Sequence, residues 1–115
     1  MLNKKVDYSS EVRYANIITS IAQVAAKQVD GVASVTYEAG SVFDSVKAKQ
    51  KNKCIVVNIN KNFVIITISI NAYYNYSVPV LVSQLQEKIK QEVEKATNYS
   101  VKYVNVNVIG VVFKS

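Results

Sequence analysis

Residues that could perform acid–base or nucleophilic chemistry are scarce in this chain. It contains no histidine and a single cysteine, Cys54. Without an imidazole it lacks the base that commonly activates a serine or cysteine nucleophile, and the nitrogen ligands of common zinc sites. Cys54 opens an apolar alternating run, where a small core side chain is the simpler interpretation and a reactive thiol is the alternative.

The carboxylates and glycines do not form a recognisable site either. Glu92 and Glu94 are two residues apart on a predicted helix, so their side chains diverge. Glu87 lies about two helical turns from Glu94, too far for one acid–base pair. The three glycines are too widely spaced for a phosphate-binding loop or a dinucleotide-binding motif: Gly31, Gly40 and Gly110. The sequence therefore predicts a protein that is not an enzyme and has no metal or cofactor.

Positive charge is the chemical feature that remains. The formal net charge is +6, which favours anionic partners such as phosphates or lipid headgroups. Residues 38–53 are predicted to form a basic loop in which four lysines alternate: Lys47, Lys49, Lys51 and Lys53. They are candidate anion contacts, although a solvated loop is the simpler explanation.

Two segments have the apolar period of an amphipathic helix. The first helix is predicted from Glu11 to Val29, with Ser9 or Ser10 as its N-cap and residues 1–9 as an N-terminal tail. Asp30-Gly31 is expected to end it. Its predicted apolar stripe consists of Ile17, Ile18, Ile21, Val24 and Ala25.

The second helix is predicted to begin after Ser77 and to end at Thr97-Asn98. Ser77 is the expected capping residue, and Pro79 is tolerated in the first turn. Lys88/Glu92 and Lys90/Glu94 are expected to pair on the solvated face. The apolar stripe consists of Leu81, Val82, Leu85, Ile89 and Val93.

Alternating apolar residues predict the strands. Cys54–Ile59 and Phe63–Ile70 form a hairpin across the turn Asn60–Asn62, and Asn71–Tyr76 is a connector. Val101–Phe113 is a long final strand, and residues 32–37 are a short candidate strand. In the final strand the valines at 104, 106 and 108 point to one face, and the residues at 103, 105 and 107 point to the other.

The predicted element order is α-(β)-β-β-α-β. Each helix must bury one stripe, and the sheet offers one matching apolar face. We therefore predict an α+β two-layer sandwich, with two helices packed on one face of a small, mostly antiparallel sheet. The 115 residues are expected to form a single domain, 1–115. No transmembrane segment is predicted, and the lone cysteine and the polar first ten residues favour a cytoplasmic location.

This packing leaves the opposite face of the sheet open. The face is expected to carry amide, hydroxyl and phenol groups, and it is the candidate interaction face: Asn58, Thr67, Tyr103, Asn105 and Asn107. It would bind a partner or further copies of the chain. The alternative is an ordinary solvated face.

A basic α+β domain also raises the hypothesis of nucleic-acid binding. A KH domain needs a GXXG loop, which this chain lacks. An RRM needs aromatic residues on its central strands, and here only Tyr103 is expected to point outward. Net charge is the sole support for nucleic acid as a partner, so this function is kept as an alternative.

Several motifs occur in a familiar order. Ile17–Ala25 running into Val29-Asp30-Gly31-Val32 resembles the first helix and V-P-G-V turn of the alkaline shock protein family of Gram-positive bacteria. Leu81–Ile89 resembles the glutamine-containing helix of that family, and Val104–Val111 resembles its V-N-V-x-V-x-G-V ending. Asp30 replaces the usual proline, and Thr97-Asn98 replaces the common Thr-Gly.

The resemblance implies a non-enzymatic, cytoplasmic scaffold or adaptor of the envelope and alkaline stress response. Members of the family self-associate, and some are held at the inner membrane face by a membrane-anchored protein partner. Others accompany a fatty-acid or dihydroxyacetone-type kinase, so regulation of such a kinase is a further alternative.

Overall fold

The computed structural model describes residues 2–35 and 54–113, with the side chains of the first helix described from Arg13 onward. Within these residues the chain forms two helices and four strands in the predicted order, and the α+β class is confirmed. The elements are α1 (Leu2–Lys27), β1 (Val32–Val35), β2 (Ile55–Ile59), β3 (Phe63–Tyr73), α2 (Val78–Ala96) and β4 (Ser100–Val112).

The central strand of the sheet is β3. On one side, β2 pairs antiparallel with residues 64–68 and β1 pairs antiparallel with residues 70–72, so these two strands lie end to end. On the other side, β4 pairs parallel with β3 along its whole length. Two of the three ladders are antiparallel, as predicted. The third is parallel because α2 crosses from the end of β3 to the start of β4.

The core lies between this sheet and the two helices. Every second residue of β3 is fully buried: Val64, Ile66, Ile68, Ile70 and Ala72. One cluster unites them with buried residues of both helices and of the other strands. Since each buried Val, Ile or Leu contributes roughly 1.5–3 kcal/mol, this layer-to-layer contact is the main source of stability.

The start of α1 was predicted wrongly. The helix begins at Leu2 rather than Glu11, so residues 2–9 are helical instead of forming a tail. Ser9 and Ser10 lie inside the helix and are not its N-cap. The physical reason is that neither proline nor glycine occurs in residues 2–27 to interrupt it.

The predicted stripe of α1 needs a further correction. Ile17 is 44% exposed and Val24 is 58% exposed, so neither belongs to the core. Both lie to one side of the arc that is buried against the sheet and α2, because neighbouring helix positions differ by about 100°. The buried arc consists of Ile18, Ala22, Ala25, Ala26 and Val29, with Ile21 packed against it.

The second helix, α2, follows the prediction more closely. Ser77 occupies the N-cap position, but its side chain makes no capping hydrogen bond, and Pro79 lies in the first turn. Thr97 ends the helix, and its hydroxyl donates to the Val93 carbonyl at 2.9 Å. Lys88 pairs with Glu92 at 3.8 Å as predicted. The buried residues of α2 are Leu81, Leu85, Ile89 and Val93.

Two turns position the strands. Gly31 follows α1 with φ +99°, and its carbonyl accepts a hydrogen bond from the Tyr73 N–H at 2.8 Å. The connector predicted at residues 71–76 is shorter than expected, because β3 continues to Tyr73 and this bond extends it along β1. Asn75, with φ +81°, then turns the chain toward α2.

Candidate functional site

The face of the sheet opposite the helices holds all five residues of the predicted interaction face. The strand registers arrange them in neighbouring rows. Asn58, Ile65 and Tyr103 form one row; Val56, Thr67 and Asn105 form the next; Ser69 and Asn107 form the third. The alternation of β3 and β4 therefore brings together Asn58, Thr67, Tyr103, Asn105 and Asn107, as the sequence predicts for their positions.

Two amides of this open face make weak hydrogen bonds to neighbouring hydroxyls. Asn105 Nδ2 donates to Thr67 Oγ1 at 3.4 Å, and Asn71 Nδ2 donates to Ser34 Oγ at 3.2 Å. Both bonds are exposed, so each contributes little net free energy because water competes for the same groups. These side chains can therefore exchange their hydrogen bonds for those of a docked surface at small cost.

An aromatic and cationic cluster borders the open face near the start of β4. Lys102 Nζ lies 4.6 Å from the centroid of the Phe63 ring and 5.7 Å from that of Tyr103. Tyr103 is 56% exposed. Cation–π contacts of this kind contribute about 0.5–1 kcal/mol at exposed sites, and an exposed tyrosine offers a large rigid contact surface.

A second apolar area, which the sequence analysis missed, lies at the far end of β4. Tyr74 and Phe113 have ring centroids 4.6 Å apart, and Phe113 is 73% exposed. Val111 and Val112 are also exposed beside them. The uncharged run 108–113 was the signal in the sequence that could have indicated this area. A register shift in β4 opposite residues 70–71 ends the simple alternation, so a pattern of period two does not predict which of these side chains are exposed.

Two side chains of α2 reach the backbone of β4. Gln86 Nε2 donates to the Val104 carbonyl at 2.8 Å, and Glu94 Oε2 accepts from the Val101 N–H at 2.8 Å. Gln86 lines a groove of about 330 Å³ between α2 and β4. The carboxylate of Glu94 is directed to β4 instead of to Lys90, so the predicted Lys90/Glu94 pair is not formed.

The other candidate chemical groups take part in structural contacts. Cys54 is half-buried and packs against the core at the start of β2. Glu87 accepts from Gln91 Nε2 at 3.1 Å, and Glu92 lies 3.8 Å from Lys95 as well as from Lys88. Among residues 2–35 and 54–113, no cluster of three or more side chains is suited to hold a metal ion.

The predicted anion-contact loop contains four lysines. Lys47, Lys49, Lys51 and Lys53 lie outside the described residues. Their contact with phosphates or lipid stays a prediction.

Comparison with known proteins assigns the chain to a family. A model of the alkaline shock protein 23 family, whose function is described as cell envelope-related, matches residues 4–113. The chain belongs to this family. The family resemblance drawn from the sequence motifs is thereby confirmed, and the match covers every described strand and all of α2.

A curated relative supports the same assignment. The uncharacterized protein YqhY of Bacillus subtilis (strain 168) is 27% identical over 110 residues. The alignment covers 95% of this chain and 78% of that protein.

Solved structures share the fold at low sequence identity. Two substituted forms of MamM CTD, one of them described as a nickel form, match with a TM-score of 0.50 and 11% identity. Each match covers 87% of this chain, with 95% and 99% of the respective MamM CTD chains. The likeness concerns the fold alone. In the described part of the chain, neither helix has the length and apolar character needed to cross a membrane.

Proposed function

We propose that this family member is a non-enzymatic scaffold or adaptor of the envelope stress response. In this role it self-associates through the open face of its sheet, and a membrane-anchored protein partner holds it at the inner face of the membrane. The single observation that supports the proposal most is the face of the sheet that no described element covers. The two helices that the structure describes pack on the opposite side, which leaves five polar and aromatic side chains in adjacent rows.

The chemistry of that face suits a protein surface better than a small molecule. Its amides and hydroxyls donate and accept hydrogen bonds, and Tyr103 and Val56 add exposed apolar area. Interfaces combine such groups: aromatic anchors supply contact area, and polar groups specify orientation. Its residues lie in adjacent rows across three strands, an extended surface that fits docking of a protein.

Self-association is tested by sedimentation velocity over a range of protein concentrations. The wild-type chain is expected to form concentration-dependent oligomers. The double variant Asn105→Lys/Asn107→Lys adds two positive charges to the open face and is expected to shift the protein toward monomer. Gln23→Lys/Gln84→Lys is the matched control, because it adds the same charge at exposed positions of the helices. Unchanged assembly of the first variant would exclude the face.

The membrane-anchored partner is tested with two kinds of vesicle. The protein is expected to bind native inverted membrane vesicles and not protein-free vesicles made from the same lipids. Protease treatment of the native vesicles before mixing is expected to abolish binding. Equal binding to both preparations would point to lipid contact, which the lysines at 47–53 could provide, and would contradict a protein anchor.

The two alternative functions stay hypotheses. Nucleic-acid binding depends on the net charge and on Lys47, Lys49, Lys51 and Lys53, which lie outside the described residues. Regulation of a fatty-acid or dihydroxyacetone-type kinase rests on the family resemblance alone. Salt-dependent binding to nucleic acid would favour the first, because counterion release makes such binding fall steeply with salt concentration.

A further inference from the structure

The outer edge of β4 has the features of a strand that is covered by another strand. In the part of the chain that the structure describes, β4 pairs with β3 alone. Exposed sheet edges are normally protected by charged residues, proline or short length. β4 is 13 residues long, and residues 103–113 contain neither a charged residue nor a proline. A partner strand would explain why this part of the edge contains neither charge nor proline.

The backbone groups that such a strand would meet can be identified. The Val104 carbonyl accepts a hydrogen bond from the Gln86 side chain of α2, so this peptide group points away from β3. Alternate residues of a strand direct their N–H and C=O groups to the same edge. Val106 and Val108 therefore direct their backbone groups outward as well, up to the register shift opposite residues 70–71.

The sequence around Val106 is the same in both directions. Residues 104–108 read Val-Asn-Val-Asn-Val, so an antiparallel copy centred on Val106 places valine opposite valine and asparagine opposite asparagine. The valines then exchange backbone hydrogen bonds. Asn105 lies opposite Asn107 of the second copy in the non-hydrogen-bonded positions, where cross-strand side chains are closest. Two amides can bond to each other because each has a donor and an acceptor.

We propose that two copies of the chain pair antiparallel along β4, centred on Val106, to form one continuous sheet. The strand that covers this edge is thus the β4 strand of a second copy. Residues 104–108 are complementary to themselves, and they contain no charge that an oppositely charged partner would neutralise. The inference rests on the self-association in the proposed function and assigns it to the β4 side of the open face, where Asn105 and Asn107 lie, instead of to docking of one open face on another. The open faces of the two copies adjoin and give one wider surface for the membrane partner.

Cysteine crosslinking tests this register directly. Asn105→Cys and Asn107→Cys are made separately in the Cys54→Ala background, and both positions are exposed on the open face. The pairing brings their Cα atoms to about 4.5 Å, within the range of about 4.4–6.8 Å that a disulfide accepts. Mild oxidation of a mixture of the two variants is expected to give a covalent dimer. This dimer is not expected when either variant is oxidised alone.

Asn58→Cys mixed with Asn107→Cys is the matched control, because Asn58 lies on the same face but on β2, at the opposite edge. No crosslink is expected there. If the chain assembles but the first mixture gives no more covalent dimer than this control, the β4 pairing is wrong and the proposed self-association still stands. If the Cys54→Ala chain and the wild type are monomeric at every concentration, both are wrong. Circular dichroism confirms that each variant is folded.

Discussion

Gln86 Nε2 on α2 donates a hydrogen bond to the Val104 carbonyl of β4 at 2.8 Å. In the proposed dimer, the Val108 N–H of the second copy would donate to this same carbonyl. The Gln86 side chain therefore competes with assembly while it covers the edge of the isolated chain.

Replacing Gln86 with alanine is expected to tighten the dimer. A net hydrogen bond of about 1 kcal/mol is removed from the monomer, and each dimer contains two such sites, so the dissociation constant should fall by up to about 30-fold. Sedimentation velocity of Gln86→Ala measures the change. Gln84→Ala, an exposed glutamine on the same helix, is the control, and weaker assembly of Gln86→Ala than of this control would contradict the register.

The carboxylate of Glu94 is expected to stabilise the start of β4. Its Oε2 accepts from the Val101 N–H at 2.8 Å, and Val101 is buried. Glu94→Ala leaves that donor without its acceptor, which costs about 1–3 kcal/mol. Urea denaturation measures the free energy of unfolding. Glu94→Gln retains a side-chain oxygen acceptor, so it should lose clearly less, and equal losses would show that the bond is not the cause.

Gly31 is expected to be intolerant of any side chain. Its φ of +99° is unfavourable for other residues, and a Cβ would lie 2.8 Å from Tyr76 Cδ2. Gly31→Ala should lower the free energy of unfolding by at least about 1–2 kcal/mol. Gly110→Ala is the control: its Cβ would meet only Asn71 Oδ1 at 3.0 Å, an oxygen that can rotate away. A loss at Gly110 as large as that at Gly31 would argue against backbone strain.

Two neighbouring isoleucines of β3 lie on opposite faces of the sheet. Ile66 is fully buried against the helices, whereas Ile65 is half-buried on the open face. Ile66→Ala should cost about 2–5 kcal/mol because it leaves a cavity. Ile65→Ala should cost much less in the monomer. The difference is measured by thermal or urea unfolding at low protein concentration, and similar losses would contradict the two-layer arrangement.

The strands were predictable because their side-chain period is two and one face is buried. Alternation along Cys54–Ile59, Phe63–Ile70 and Val104–Val108 was sufficient to assign Asn58, Thr67, Asn105 and Asn107 to one face. For the same reason the prediction ended where the alternation ended. The register shift opposite residues 70–71 reverses which side chains face inward, and the exposed area around Tyr74 and Phe113 was missed.

The errors in α1 have a different cause. A helical period identifies an apolar arc, but it does not say how much of that arc the neighbouring layer covers. Ile17 and Val24 extend the arc of Ile18, Ile21 and Ala25 beyond the contact with the sheet. Likewise, the contacts of Gln86 and Glu94 with β4 depend on how the second helix lies beside an edge strand. No local pattern in the sequence encodes that placement.

Charged substitutions at Asn105 and Asn107 should distinguish the proposed strand pairing from nonspecific contact between open faces. In the proposed register Asn105 opposes Asn107 of the second copy. Asn105→Lys/Asn107→Lys therefore places like charges opposite each other twice in a dimer, whereas Asn105→Lys/Asn107→Glu places opposite charges there twice. Like charges directly opposite are destabilising, and opposite pairs contribute about 0.2–1 kcal/mol each.

The first variant is expected to be largely monomeric, and the second should assemble at least as well as the wild type at low salt. Raising the salt concentration should weaken the second variant toward the wild-type value, since exposed ion pairs are screened. Sedimentation equilibrium gives the three dissociation constants. If both variants are equally monomeric, Asn105 and Asn107 do not face each other across the dimer.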